Sequence, residues 1–349
     1  MSYDKAVLYR NHCLYRLPRA AVHAAAQVPA MTNAQQPRLK LAISACLLGN
    51  EVRYNGGHKQ SQLCSQTLSR YFDFQPLCPE MAIGLGAPRE PIRLVGDPRA
   101  PRAVGTVNRG LDVSEALVGY AEGIAAGLND ISGLIVMQKS PSCGMERVKV
   151  YQDDGRPAEK GQGLFTATIA RLRPELPIEE DGRLNDPVLR ENFIARVYAY
   201  GDWQRLCAEG LTRKAIIAFH ARHKYLLMAH NPLQYRELGR LMAGIGEHAP
   251  AELGPRYFSA LMAALQKCAT RGTHANVLQH LSGYLRRALP DEERQEIQQL
   301  IEQYRNGSVP LVVPLTLLKH HFRRHPDRYI AQQAYMQPHP HELGLRNAI

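Results

Sequence analysis

A short apolar run, Leu39-Lys40-Leu41-Ala42-Ile43-Ser44-Ala45-Cys46, begins the part of the chain that decides its fold. We interpret it as a buried strand that ends near Cys46 and is bounded by Gly49. The other elements predicted in this half are strands at residues 74–78 and 133–137, helices at residues 65–73 and 114–128, and a long loop over residues 84–101. Helices that alternate with strands apolar on both faces predict an α/β fold with a parallel, Rossmann-like sheet.

The second half of the chain shows a different pattern, with successive amphipathic segments whose prolines suit helix starts. The predicted helices cover residues 187–206, 212–229, 232–247, 255–269, 273–288, 291–305 and 314–324. We therefore predict a catalytic domain over residues 38–180, an all-helical domain over residues 186–335 and an irregular tail over residues 336–349. Residues 1–37 are expected to be a flexible arm. Alternatively, the start of the chain is misassigned and the natural first residue is Met31.

Composition narrows the class of protein. Hydrophobic residues make up 45% of the 349 residues and charged residues 21%, values typical of a globular protein, and no segment approaches the ~20 apolar residues of a membrane-spanning helix. The net charge of +11 favours a polyanionic partner. Seven cysteines, an odd number, argue against a disulfide framework and for a reducing cytoplasm.

Three cysteines share one position relative to the predicted strands. Cys46 and Cys78 lie at the ends of the first two strands, and Cys143 lies just beyond the third. Because ligands of open α/β sheets collect outside the carboxyl ends of the strands, we expect the three thiols to meet in one crevice. Three thiolates suit an iron–sulfur cluster with one open iron or, less favoured, a zinc ion with a further ligand. Three unrelated buried cysteines are the remaining alternative, although these lie in turns beside Pro and Gly.

Polar side chains flank these cysteines. Glu80 follows Cys78 by two positions, and Ser140 precedes Cys143 by three. A carboxylate beside a metal site can act as a general acid or base, and a serine hydroxyl can orient water. Alternatively, Glu80 caps a helix that begins at Pro79, and Ser140 is an ordinary turn residue before a proline.

Four motifs follow one another along residues 38–175. They are Ile43-Ser44-Ala45-Cys46-Leu47-Leu48-Gly49 with Val52-Arg53-Tyr54-Asn55-Gly56, Cys78-Pro79-Glu80 leading to Gly84-Leu85-Gly86-Ala87-Pro88-Arg89, Ser140-Pro141-Ser142-Cys143-Gly144, and Gly163-Leu164-Phe165. Together they resemble the thiouracil desulfurase family, apart from Asn55, which stands where an aspartate is as often expected. The helical half resembles the domain of unknown function of YbgA-type proteins, and the fused proteins resemble tRNA 4-thiouridine desulfidases.

The resemblance implies that Cys46, Cys78 and Cys143 bind a 4Fe–4S cluster whose open iron takes the sulfur of the substrate. It also implies that Glu80 and a serine, most readily Ser140 but alternatively Ser142, assist the reaction. We accordingly predict a cytoplasmic enzyme that converts 4-thiouridine in tRNA to uridine and releases sulfide without net electron transfer. The alternatives are a desulfurase of free 2-thiouracil-type bases and a non-enzymatic nucleic-acid-binding protein that senses metal or redox state.

Residues 185–349 hold 21 Lys and Arg against 14 Asp and Glu, and the basic residues interleave with aromatic ones. This pattern is typical of surfaces that bind phosphates and stack bases, although a solvated basic face is the alternative. The predicted RNA-contacting residues are Arg53, Arg89, Arg213, Lys214, Arg222, Lys224, Arg286, Arg287, Arg323 and Arg324. The spacing of His220, His223 and His230 favours phosphate contact or core packing over a metal site.

Overall fold

Two sheets form the first half of the molecule. The strands of the described residues are β1 (Leu39–Ser44), β2 (Phe72–Leu77), β3 (Ile92–Val95), β4 (Arg102–Gly105), β5 (Ile131–Val136), β6 (Val148–Tyr151), β7 (Pro157–Gly161) and β8 (Ile178–Glu180). The computed structural model describes residues 38–152 and 154–349, so the predicted N-terminal arm lies outside the described residues.

The first sheet is parallel, with strand order β2-β1-β5-β8. Strand β1 pairs along its length with β2, from Leu39 opposite Phe72 to Ser44 opposite Leu77, and pairs with β5 on its other side. Every residue of β5 is buried, as expected for a strand covered on both faces. The predicted parallel α/β fold is therefore confirmed, and the strands that precede the three cysteines are neighbours.

The second sheet, with order β4-β3-β6-β7, was not predicted. Strand β3 lies within residues 84–101, which the sequence suggested were a loop. Its four residues are too few to show periodicity, and they are stabilised by pairing with β4 and β6 and by a shared core that includes Leu94 and Val150. The prediction of an α-helix at residues 65–73 was also wrong. This stretch forms short π and 3-10 turns before β2 begins at Phe72.

Helices cover the parallel sheet and make up the second half. They are α1 (Pro79–Ala82), α2 (Ser114–Gly127), α3 (Leu164–Leu172), α4 (Pro187–Glu209), α5 (Arg213–His230), α6 (Pro232–Ala243), α7 (Pro250–Leu265), α8 (Arg271–Ser282), α9 (Asp291–Arg305), α10 (Val312–Arg324) and α11 (Arg328–Ala331). The predicted helical half is confirmed in order, with ends shifted by a few residues. Within the described residues, no helix combines the length and apolar character needed to cross a membrane.

Helix α4 joins the two halves. Its N-cap Asp186 accepts hydrogen bonds from the N–H groups of Val188 and Leu189. Its inner face packs directly on the sheet, where a Cβ atom at Gly133 of β5 would lie 2.8 Å from Val197 Cγ2. The described residues belong to one compact unit. The domain boundary between residues 180 and 186 therefore stays a prediction.

Candidate active site

The three predicted ligands lie in loops at one edge of the parallel sheet. Cys46 lies in the 3-10 turn Ala45–Leu48 after β1, Cys78 directly follows β2, and Cys143 lies in the loop after β5. Because β2, β1 and β5 are adjacent and parallel, these loops emerge side by side at the carboxyl edge. Cys46 and Cys143 are buried, and Cys78 is partly exposed.

Each thiol lies close enough to a neighbour to affect its ionisation. Burial raises the pKa of Cys46 to about 11, and the nearby Cys78 raises it further. Burial likewise raises the pKa of Cys143 to about 12, with Glu80 and Cys78 acting in the same direction. A coordinating metal deprotonates thiols and so reverses this preference. Three soft sulfur donors in a sheltered crevice therefore fit an iron–sulfur group.

Zinc and an iron–sulfur cluster require different spacings between their cysteine ligands. Within residues 38–152 and 154–349, no three side chains of His, Cys, Asp or Glu are grouped closely enough to hold a single metal ion. Tetrahedral zinc would bring sulfur atoms to about 4 Å from one another, since each Zn–S bond is about 2.3 Å long. In a 4Fe–4S cluster each cysteine binds a different iron atom, so the thiols stand farther apart.

Glu80 is held from two sides. Arg89 donates to its Oε2 from Nε at 2.9 Å and from Nη2 at 2.7 Å, while Ser142 Oγ donates to its Oε1 at 2.5 Å. The side chains of Arg89 and Glu80 are only 6% and 13% exposed, so this charge-assisted pair is sheltered from water. Side chains of Arg89 and Ser142 bind the two carboxylate oxygens of Glu80, which argues against a purely capping role.

Of the two candidate serines, Ser142 is the one that contacts Glu80. Ser142 is fully buried, and its hydroxyl lies 3.6 Å from Cys143 Sγ. Ser140 Oγ instead accepts a hydrogen bond from the Cys143 N–H at 3.1 Å and lies 3.0 Å from Ser142 Oγ. Ser140 therefore shapes the loop, and Ser142 connects Glu80 to Cys143. The sequence favoured Ser140, whereas the geometry favours Ser142.

The motif Gly163-Leu164-Phe165 anchors the Cys143 loop. The N–H groups of residues 163–165 donate to the carbonyl oxygens of Gly144, Pro141 and Ser142 at 2.8, 3.2 and 3.0 Å. These donors lie at the start of α3, where N–H groups lack partners within the helix. A Cβ atom at Gly163 would lie 2.5 Å from the Ser142 carbonyl oxygen, so this close approach requires glycine.

Two polar residues at the same edge were missed from the sequence. Ser44, the last residue of β1, accepts a hydrogen bond from the Met137 N–H at 3.0 Å and joins the ends of β1 and β5. Asp181 follows β8 and accepts a hydrogen bond from the Gln138 N–H at 3.0 Å. Burial raises the pKa of Asp181. Position was the signal for Ser44, since it lies where the predicted apolar strand ends, whereas the strand Ile178–Glu180 before Asp181 carries two glutamates and gave no apolar signal.

The predicted RNA-contacting residues divide by exposure. Those that are exposed are Arg213, Lys214, Arg222, Arg286, Arg287, Arg323 and Arg324, whereas Arg53 and Lys224 are partly buried. Arg89 is different, because its guanidinium is buried against Glu80 and donates to the Val52 carbonyl at 3.0 Å. The expectation that Arg89 reaches RNA phosphate therefore does not suit its position, and it orders the site instead.

The histidines of α5 belong to the core. His220 Nδ1 lies 3.2 Å from the Tyr257 hydroxyl, His223 Nε2 lies 3.3 Å from an Asp202 carboxylate oxygen, and His230 Nδ1 lies 2.7 Å from the Lys267 carbonyl. All three side chains are buried. The sequence favoured either phosphate contact or core packing for these histidines, and the structure supports core packing.

Comparison with known proteins gives matches to both halves. Residues 41–181 match the family model described as 2-thiouracil desulfurase. Residues 224–340 match a second family model, described as a protein of unknown function (DUF1722). The uncharacterized protein YbgA of Escherichia coli (strain K12) is 33% identical over 159 residues, which cover 45% of this chain and 94% of YbgA. The uncharacterized protein YbbK of Bacillus subtilis (strain 168) is 34% identical over 113 residues, which cover 30% of this chain and 72% of YbbK.

Among solved structures, the chain is similar to a protein described as the 4Fe–4S-dependent thiouracil desulfidase TudS. The two are 30% identical, and the match covers 42% of this chain and 94% of that chain with a TM-score of 0.35.

Proposed function

Because the chain belongs to the 2-thiouracil desulfurase family and carries a YbgA-type DUF1722 region, we propose that it converts 4-thiouridine in tRNA to uridine with release of sulfide. The observation that carries this proposal is the line of contacts from Cys143 through Ser142 to Glu80, at the edge where neighbouring strands end. It joins a candidate ligand loop to a carboxylate able to exchange protons.

Cys46, Cys78 and Cys143 would hold a 4Fe–4S cluster. When bound, the cluster would supply an open, thiophilic iron that polarises the thiocarbonyl group as a Lewis acid. The balanced reaction exchanges a C=S bond for a C=O bond, with water consumed and hydrogen sulfide released. No electron donor or acceptor is needed.

Glu80 would accept a proton from the water that replaces the sulfur. Proton transfer to a positioned carboxylate contributes about 10²–10⁴-fold to such reactions. Arg89 fixes one carboxylate oxygen through two hydrogen bonds, which leaves the opposite oxygen directed at Ser142. The Ser142 hydroxyl would orient the water or relay its proton.

The helical half would hold the polynucleotide. Exposed basic residues such as Arg286 and Arg323 suit phosphate contact, and the net charge of +11 favours it. Such an enzyme must take the target base out of its stack to reach it. A free thiouracil needs no basic platform of this size, although the name of the matched family keeps the free base as the second candidate.

The test uses the full chain, purified and reconstituted with iron and sulfide without oxygen. Sulfide release would be measured with thiolated tRNA and with free 2-thiouracil. We expect turnover of the tRNA, with an affinity that falls steeply as salt rises. Turnover of the free base alone would make the protein a free-base desulfurase. Binding of tRNA without sulfide release would support a sensor, and a salt-independent affinity would contradict phosphate recognition.

A further inference from the structure

A cluster of tyrosines surrounds one lysine on the helical half, outside the cysteine site. Its members come from separate segments: Lys224 and Tyr225 from α5, Tyr235 from α6, Tyr284 from the turn after α8, and Tyr329 from α11. The rings of Tyr284 and Tyr329 are stacked, with centroids 6.0 Å apart and planes 27° apart. Lys224 Nζ lies 5.8 Å from the ring centroids of both Tyr225 and Tyr235. We call these five residues the tyrosine–lysine cluster.

Aromatic rings lie beside the ammonium group of Lys224. Burial alone lowers the pKa of Lys224, with no carboxylate acting on it from the described residues. The tyrosine rings stabilise the cation only in part, since a cation–π contact is weaker than a charge-assisted hydrogen bond. A partly buried cation without a counterion stands to gain from an anionic ligand.

Tyr284 presents its ring to solvent. The residue is 44% exposed, and Tyr329 supports the ring from one side. The buried Tyr225 donates its hydroxyl proton to the Tyr284 hydroxyl oxygen at 3.2 Å, which leaves the proton of Tyr284 available to a ligand. An exposed and supported aromatic ring is a surface on which a nucleobase can stack.

We propose that the tyrosine–lysine cluster binds one unpaired nucleotide of an RNA strand, with the base stacked on Tyr284 and a phosphate at Lys224. This inference rests on the proposed action on tRNA. Charge complementarity supports it, because Arg286, Arg287 and Arg328 are exposed within three residues of a cluster tyrosine. One site thus pairs a stacking ring with a cation, the combination that single-stranded RNA requires.

The experiment measures the affinity of the full chain for thiolated tRNA as a function of salt. Tyr284→Ala should weaken binding about 5- to 150-fold, the usual effect of losing one base–aromatic stack, whereas Tyr284→Phe should bind nearly as tightly as the unsubstituted chain. Lys224→Met should reduce the slope of log affinity against log salt by about one, as expected for one lost phosphate contact. Lys40→Met is the control. It removes an exposed charge that pairs with Asp130 near the amino end of β1, and it should leave the affinity unchanged.

Iron content after reconstitution, together with thermal unfolding, reports whether each variant is folded. Equal tRNA affinity for the unsubstituted chain, Tyr284→Ala and Lys224→Met would overturn the cluster as an RNA site while leaving the proposed function intact. Failure of the unsubstituted chain to bind thiolated tRNA would overturn both. A loss of affinity in Tyr284→Phe as large as in Tyr284→Ala would contradict stacking as the mode of binding.

Discussion

The carboxyl edge of the parallel sheet and the interior of the helical half both collect ionisable side chains, but they treat them differently. At the sheet edge, burial raises the pKa of Cys46 and Cys143, and Arg53, which lowers the pKa of Cys46, does not offset the effect of burial. In the helical interior, burial alone would raise the pKa of Glu191, but His339 and Arg346 hold it well below its usual range. Removal of one partner from a buried ion pair destabilises a fold, whereas soft sulfur donors without a matching charge suit coordination of a metal.

The buried pair of Glu191 and Arg346 also explains why the C-terminal tail is held against α4. Arg346 Nε lies 3.1 Å from a carboxylate oxygen of Glu191 on α4, and its Nη1 donates to the Tyr335 carbonyl at 2.6 Å. The tail predicted as irregular forms short 3-10 turns, and Leu345 and Ile349 are buried. The tail therefore packs into the protein interior, with Leu345 in the core between the sheet and α4 and Ile349 in the core of the helical half.

Loss of a candidate ligand should have the largest effect. Cys78→Ala is expected to abolish both iron binding and sulfide release, because a cluster held by two cysteines lacks a third protein ligand. Iron and acid-labile sulfide in the anaerobically purified protein measure this directly. The matched control is Cys64→Ala, which removes a fully buried thiol and should retain iron. Full iron content in Cys78→Ala would show that Cys78 is not a ligand and that the sheet edge does not differ from the helical interior in this way.

Glu80→Gln should lower turnover by about 10²–10⁴-fold with the iron content unchanged, because an amide cannot accept the proton of water. The control is Glu90→Gln, since Glu90 accepts hydrogen bonds from the Val107 and Asn108 N–H groups instead of from the Cys143 loop. Unchanged turnover in Glu80→Gln at full iron loading would remove Glu80 from the mechanism.

Arg346→Met should lower the free energy of unfolding by about 3–5 kcal/mol, because it leaves the Glu191 carboxylate buried without its main cation. Urea denaturation measures the change, and Arg323→Met, which alters an exposed residue, should cost no more than about 0.5 kcal/mol. A small loss in Arg346→Met would show that the helical interior does not depend on matched charges.

Mild acid should destabilise the helical half. Burial lowers the pKa of His220 to about 4 and that of His274 to about 3. The unfolded chain binds protons on these residues below about pH 6.5 while the folded chain does not, so stability falls as the pH drops from 6.5 towards 4. The loss from His220 reaches roughly 3 kcal/mol at its limit.

Urea unfolding at pH 7 and at pH 5, above the range in which most carboxylates titrate, measures this effect. His220→Phe should flatten the pH dependence, whereas His341→Gln, at an exposed position, should leave it unchanged. A dependence equally steep in His220→Phe would place its origin elsewhere.

The two serines should show the smallest effect and the finest discrimination. Ser142→Ala removes a hydrogen bond to a carboxylate, a loss worth about 1.5–3 kcal/mol, and should lower turnover about 10- to 150-fold. Ser140→Ala should lower it less, because its hydroxyl mainly accepts the Cys143 N–H. The reverse order would restore the preference for Ser140 that the sequence suggested.

The sequence by itself determined the parallel sheet, the succession of helices and the placement of Cys46, Cys78 and Cys143 after strands. These features are local, because an apolar run or a helical period reports which face of a segment is buried. A residue that follows a parallel strand also has a known position at the edge of the sheet. Resemblance of motifs then pointed to the family, and comparison with known proteins confirmed it.

Only the tertiary structure decided the second sheet, the choice of Ser142 as the partner of Glu80, the burial of Arg89 and the meeting of the cluster tyrosines. Strand β3 has too few residues to show a period, and one of its two partners, β6, lies far along the chain. Ser142 reaches Glu80 across 62 positions, and Tyr225 reaches Tyr284 across 59. Contacts between such distant segments depend on how whole elements pack, which no local pattern encodes.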